Sequence, residues 1–279
     1  MRGRLTDERL EEIRAGLPAI NSDLLLATRL GHGVALDDLD TGGRLGVALV
    51  CLDDACNRFW QARLALQESN ACLAWYLEES PKARLEFEAA LTARFYLDYV
   101  GLLLYAAAED VEAFIIHFLG VKQDYTAFLK DPKTKRKLQR KSISSKAGKV
   151  GVYLNDRRPG HDVTQVVLDL HADRHWREAM TYRNTWVHEQ PPLLKEFGIQ
   201  QARQSRVQEV GGGRRRVYLG QGSRPQYSLD GLLDVMLSAT NAFAVALSAL
   251  LNLVIRRREE LGETFDFEGR TISLGFLQS

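Results

Sequence analysis

From Ser80-Pro81 to Gly120 apolar residues recur at helical spacing through Leu85, Leu91, Phe95, Tyr99, Leu102, Leu103, Ala106, Val111, Phe114 and Phe118. Serine followed by proline supplies an N-cap and a residue already set for the first helical turn. At about 1.5 Å per residue such a helix spans roughly 55–60 Å, longer than a compact domain of this size needs. It therefore either kinks near Gly101 or reaches toward a partner. A helix of this length and apolarity must be covered by other helices, and the rest of the chain supplies them.

Thr6 precedes an acidic turn and then Leu10, Ile13 and Leu17, with Gly16 near the end, the pattern of a short capped helix. A second short helix is expected over 22–30, followed by a loop framed by Gly31-His32-Gly33 and Thr41-Gly42-Gly43. Leu45, Leu49, Leu52, Cys56, Phe59, Trp60, Leu64 and Leu66 then mark a long helix. Val163, Val166, Val167, Leu170, Trp176 and Met180 form the apolar side of a further helix that runs on to His188, with Pro191-Pro192 limiting its end. Val207 and Val210 lie before Gly211-Gly212-Gly213, and Val217, Tyr218 and Leu219 after it, which favours a peripheral hairpin over 204–219. Ser228 caps a final helix that is apolar over much of its circumference and belongs in the core. Thr271, Ile272 and Leu274 suggest a short strand in the tail. The fold class is all-α with a small β appendage.

Global composition excludes little. The 279 residues carry a net charge of +1 with 26% charged side chains, so overall charge marks neither a nucleic-acid coat nor a strongly acidic binder. Cys51, Cys56 and Cys72 are odd in number, lie within apolar helical patterns and lack a Cys-x-x-Cys spacing, as small core residues in a reducing compartment would. The charged start, Met1 to Arg14, has no leader-like apolar stretch, and no apolar run reaches the roughly 18 residues of a membrane span, so a cytoplasmic protein with no membrane partner is expected.

Local charge is more informative. Between Lys130 and Lys149 nine Lys or Arg residues face the single acid Asp131. Asp131-Pro132 can start a short helix, and Ser142, Ser144, Ser145 and Gly148 suggest that its end frays. Such a run is either a solvated face or a phosphate-binding one; without interleaved aromatics, nucleic-acid contact here would be electrostatic and salt-sensitive. Lys133, Lys135, Arg136, Lys137, Arg140 and Lys141 are the candidate RNA-binding residues.

Tyr182-Arg183-Asn184-Thr185-Trp186-Val187-His188 packs a fixed cation, a neutral amide and a proton carrier into about two helical turns. These are the groups needed for chemistry on a phosphodiester. In a straight helix Asn184 and His188 share a face and continue the line of Trp176 and Met180, whereas Arg183 stands about 140° from His188. Two copies across a twofold axis would let the Arg of one face the His of the other. The plainer alternative has Asn184 and His188 satisfied by neighbouring backbone and Arg183 paired with Glu178 or Glu189.

The sequence Arg183-Asn184-Thr185-Trp186-Val187-His188, in a helix followed by a proline-rich break, a hairpin and a final apolar helix, resembles the HEPN superfamily of small all-α proteins. That family's pattern is an Arg, a following polar residue, and a His about four to six residues beyond the Arg. The resemblance covers roughly 80–230 and beyond. It implies a HEPN-like up-down helical bundle over 80–262, carrying the basic insert 130–149, with 1–79 as an N-terminal helical part packed on it and 263–279 as a tail. Many members are metal-independent endoribonucleases whose site is completed by dimerisation. Others are non-catalytic binding modules paired with nucleotidyltransferases or toxin–antitoxin partners. By this resemblance Arg183, Asn184 and His188 are the catalytic residues, RNA the substrate, a homodimer the working form, and no cofactor or metal is needed; an antitoxin or nucleotidyltransferase is the implied further partner. The alternative function is a non-catalytic nucleotide- or RNA-binding module.

The remaining histidines offer less. His171 and His175, four apart on the expected helix, could clasp a metal, but no third ligand adjoins them. His161 is expected near a helix start, and His117 within an apolar run as a satisfied core histidine. No phosphate-cradling glycine loop with its lysine, nucleophile elbow or dinucleotide fingerprint is present.

Overall fold

The computed structural model describes residues 5–21, 24, 44–75, 85–140, 146–188, 192–197, 205–210, 214–219, 226–260, 264–267 and 270–273. The expected helix over 22–30 and the loop after it, Lys141, and the Gly211–Gly213 tip lie wholly or almost wholly outside them.

The described chain is mostly helical. Its helices are α1 (Asp7–Ala15), α2 (Arg44–Ala74), α3 (Leu85–Phe118), α4 (Lys122–Lys130), α5 (Pro132–Arg140), α6 (Lys146–Arg157), α7 (Asp162–Ala172), α8 (Arg174–His188) and α9 (Leu229–Glu260), with a 3₁₀ turn at Lys195–Phe197. Strands β1 (Ser205–Val210) and β2 (Arg214–Leu219) pair antiparallel with Val207 opposite Val217, and β3 (Thr264–Phe267) pairs with β4 (Arg270–Ser273).

The residues group into two compact units. One comprises Met1–Leu17, Leu64–Gly101 and Glu178–Leu237, the other Pro18–Arg63, Leu102–Arg177 and Ser238–Ser279. In the first, Thr6 caps α1 by accepting from the Arg9 N–H at 3.2 Å, and Leu5, Leu10 and Ile13 pack with Ala71, Ala74, Trp75 and Ala89. The buried face of α3 here begins with small residues, Ala89, Ala90 and Ala93, and continues through Leu97 and Val100; the Ser69 hydroxyl donates to the Ala93 carbonyl at 3.0 Å. Small side chains let backbones approach closely enough for that bond. The large residues Leu91, Phe95 and Tyr99, part of the apolar pattern from which the helix is read, point outward instead. Leu64 on α2 does the same.

In the second unit Trp176 stacks on Phe243 with ring centroids 5.4 Å apart, and Tyr153 receives the edges of Tyr125 and Phe128, each at 5.3 Å. Gly120, at φ 64°, ends α3 in the left-handed conformation that glycine adopts without strain. Cys56 and Cys72 are buried and Cys51 half-buried, all three as free thiols; burial pushes the Cys51 and Cys72 thiols up.

α3 is a single helix that includes Gly101. That glycine answers a close approach: a Cβ placed there would lie 3.4 Å from the Arg183 Cβ and 3.6 Å from the Met236 Cε. The single helix expected from Val163 to His188 is two helices. Asp173 breaks it with an extended backbone, closes α7 through its own N–H, and opens α8 by accepting from the Trp176 N–H at 2.7 Å. An aspartate competes with the helix for local donors, which is why it starts helices better than it continues them.

Ser228 caps α9, accepting from the Gly231 N–H at 3.3 Å. Contrary to the expectation that no apolar run reaches the length of a membrane span, the stretch Leu229–Arg256 is long and apolar enough to cross one by composition; 56% of its most apolar window is buried inside the protein, as in a core helix.

Candidate functional site

The candidate site lies on the last two turns of α8, in the first unit. The face that α8 buries runs through Trp176, Ala179 and Tyr182. Met180 and Asn184 are half-buried and His188 is exposed, so the line expected to lie along the apolar side instead climbs out of the packing toward the helix end. The cause is register: the buried steps of three from Trp176 leave positions 180, 184 and 188 at the edge of the stripe.

Tyr182 fastens this helix to α3. Its hydroxyl donates to Asp98 at 2.5 Å, and its ring meets the edge of Tyr227 at 5.4 Å. Burial first, and the Asp98 charge second, push the Tyr182 hydroxyl well above the usual tyrosine range. Asp98 is itself raised by burial, against the opposing pull of the Tyr182 hydrogen bond and of Arg94, whose Nε stands 3.6 Å away. Arg94 continues the chain of contacts, donating to the Pro192 carbonyl at 3.2 Å and lying over the Phe197 ring at 5.5 Å. The segment after the proline break is held by Gln226, whose N–H donates to the Leu193 carbonyl at 2.9 Å.

With Tyr182 pinned and Gly101 offering no side chain, the Arg183 stem is seated against α3. Its Nη1 donates to the Asn184 Oδ1 at 3.0 Å. This bond joins neighbours in sequence, a pairing that face-sharing arguments along a helix do not suggest, and it fixes the amide: with the oxygen turned to the guanidinium, the Nδ2 donors turn the other way. His188 stands one turn beyond Asn184, exposed at the helix end.

The basic residues belong to the second unit. Asp131 caps α5 by accepting from the Thr134 N–H at 2.8 Å, and that bond above all holds its carboxyl below the usual range. Thr134 and Leu138 are the buried side of α5, whereas Lys133, Lys135, Arg136 and Arg140 are exposed. On an ideal helix Arg136 and Arg140 stand roughly opposite the Thr134/Leu138 side. Lys137 pairs with Asp156 of α6 at 3.3 Å.

The histidine pair is corrected by the break at Asp173, because His171 lies in the last turn of α7 and His175 in the first turn of α8. His171 packs beside Gly151 of α6, where an added Cβ would lie 3.3 Å from its ring. His161 is the N-cap of α7, its Nδ1 accepting from the Val163 N–H at 3.2 Å, and His117 is half-buried in the last turn of α3. Among the described residues no three His, Cys, Asp or Glu side chains come together as a metal site would need.

Sequence reasoning missed Asp98 and Arg94, and it singled out Gly101 as a kink rather than as the seat of the Arg183 stem. Their signal was present: an acid and a cation one turn apart within a run of apolar residues, followed by a glycine in mid-helix. No protein-family model, no curated protein and no solved structure matches this chain.

Proposed function

We propose that this chain is a metal-independent endoribonuclease of the HEPN type, built on a HEPN-like up-down bundle with the hairpin as an appendage and working as a homodimer in which two α8 motifs complete the site. The observation that carries the reading is the Arg183–Asn184 hydrogen bond on a helix end anchored by Tyr182, with His188 exposed one turn beyond. It keeps a cation and an oriented amide together next to an accessible imidazole.

In the proposed reaction the RNA supplies its own nucleophile. The 2′-hydroxyl oxygen bonds to phosphorus as its proton passes to a neutral His188; the bond from phosphorus to the 5′ oxygen breaks, and that oxygen takes a proton from the second copy's protonated His188. The products are a 2′,3′-cyclic phosphate and a free 5′-hydroxyl. Arg183 holds the non-bridging oxygens and stabilises the charge that gathers on them, and the Asn184 Nδ2 donates to the phosphate or the attacking hydroxyl. Lys133, Lys135, Arg136, Arg140 and Lys141 guide the phosphate chain electrostatically. A toxin–antitoxin or defence setting in the cytoplasm, with an antitoxin or nucleotidyltransferase as partner, suits such an activity.

The test is incubation of the purified protein with mixed RNA in excess EDTA. Cleavage to cyclic-phosphate ends is expected, with DNA inert and His188→Ala slower by about 100-fold or more. The exposed cationic side of α5 favours a second reading, a non-catalytic RNA-binding module; intact RNA with salt-dependent retention would select it. Under either reading, neutralising Lys133, Lys135, Arg136 and Arg140 flattens the dependence of RNA binding on salt. An unchanged slope removes α5 from the interface.

A further inference from the structure

Between Gln201 and Arg224 the chain carries six arginines and no lysine against the single acid Glu209. In the sequence Arg214, Arg215 and Arg216 are merely consecutive; the register of the β1–β2 ribbon sorts them. Directly opposed positions of an antiparallel pair share a face, and successive positions alternate between faces. Val207, Val217 and Leu219 therefore fall on one face, together with Glu209 opposite Arg215. That face is largely apolar, and its two opposite charges offset each other across the strands. Arg206, Gln208, Arg214, Arg216 and Tyr218 fall on the other face, which has no acid. Arg206 stands opposite Tyr218, Gln208 opposite Arg216 and Val210 opposite Arg214, so each of three successive levels, about 7 Å apart, holds one arginine.

We infer that this second face is a binding site for single-stranded RNA. Arg206, Arg214 and Arg216 hold phosphates along one strand, Tyr218 stacks on an unpaired base beside them, and Gln208 offers its amide to base edges. Two features carry the assignment. A row of guanidinium groups, each able to grip a phosphate by two donors, holds a phosphate chain in place, whereas α5 mixes lysine with arginine. The helix α5 also lacks an aromatic residue, so it can attract a strand without holding a base; Tyr218, set opposite Arg206, adds the stacking surface that makes a basic row suited to single strands. In a duplex the base faces are already stacked, which leaves Tyr218 nothing to bind. Neither contact reads the sugar, so a single DNA strand shares the chemistry; the choice of RNA as the ligand rests on the proposed function.

The test is fluorescence anisotropy of the full chain with a labelled oligoadenylate of about 12 nucleotides, 2′-O-methylated so that it cannot be cleaved through the 2′-hydroxyl. Arg214→Gln combined with Arg216→Gln should weaken binding by about tenfold or more and lower the slope of log affinity against log salt by about 1.4. Arg215→Gln, between them in sequence but on the other face, should leave that slope unchanged. Tyr218→Leu should weaken binding by about tenfold at an unchanged slope, and should have no effect on the same strand annealed to its complement. Helical circular dichroism should be retained in every variant. A parent protein that does not bind the probe, an Arg215→Gln variant that lowers the slope as much as the double variant does, or a Tyr218→Leu variant that binds like the parent overturns the inference. The expected pattern in a protein that leaves unmodified RNA intact in EDTA upholds the ribbon site and sinks the ribonuclease reading. Cleavage of unmodified RNA alongside variants that all bind like the parent does the reverse.

Discussion

Both units fasten a tyrosine from a later helix to a carboxylate on α3, in different surroundings. In the first, Tyr182 donates to Asp98 at 2.5 Å; in the second, Tyr125 donates to Glu112 at 2.8 Å. Both hydroxyls are pushed well above the ordinary tyrosine range, by burial first and the neighbouring acid second. Tyr125 lies edge-on to Tyr153, whose own hydroxyl donates to Asp124 at 2.6 Å and is pushed up to about 12 by burial and that acid. That group closes on itself. Tyr182 immediately precedes Arg183, so the same device there fixes the helix end from which the candidate site projects. A buried tyrosine–carboxylate pair is thus a fastening, and what it fastens decides whether it bears on function.

The largest separation between the two pairs should appear when each hydroxyl is removed. Tyr182→Phe and Tyr125→Phe each leave a carboxylate short of a donor, and each should cost about 1–3 kcal/mol in urea unfolding. Only Tyr182→Phe should also slow RNA cleavage, by about tenfold or more, because loosening α8 displaces Arg183 and Asn184. Equal loss of cleavage in the two variants would erase the distinction drawn between the pairs.

A smaller effect is expected where α8 begins. Asp173→Ala removes the acceptor for the Trp176 N–H and should cost about 1 kcal/mol, read by thermal unfolding. Tyr182 keeps its own anchor at Asp98, so cleavage per folded molecule should hold. If cleavage falls as steeply as in Tyr182→Phe, the helix start positions the site as much as the tyrosine does.

These supports show where the sequence was readable. Helix existence along α1, α2, α3 and α9 follows from apolar spacing, and the caps at Thr6, Asp131 and Ser228 follow from side chains that suit helix starts. The interior face of α3 was not legible, because a helix apolar on both sides gives no contrast to periodicity. Size misleads in its first turns as well: Ala89, Ala90 and Ala93 face inward while Phe87 and Phe95 face outward, since close helix approach selects small residues there. The motif was legible as composition, but its internal hydrogen bond was not, because adjacent residues point about 100° apart on an ideal helix and only the long guanidinium closes the gap. The break at Asp173 was missed although the apolar residues skip from Leu170 to Trp176, about 240° around an ideal helix, and an aspartate followed by an apolar position three residues on can equally be a helix start.

The finest test concerns the proton on Asp98. Its carboxyl is raised because burial penalises the charge more than Tyr182 and Arg94 relieve it. Between the ordinary aspartate value and that raised one, the folded chain holds a proton that the unfolded chain has released, so this residue's contribution to stability falls as pH rises. Asp98→Asn keeps an oxygen to accept from Tyr182 and cannot ionise. It should therefore flatten the loss of stability over that window, seen as a smaller change in urea midpoint per pH unit than in the parent protein. An unchanged slope would mean that Arg94 and Tyr182 compensate the charge fully. The Tyr182 pair would then be as indifferent to protons over that window as a neutral hydrogen bond, and its difference from the Tyr125 pair would rest on the Arg183 beside it alone.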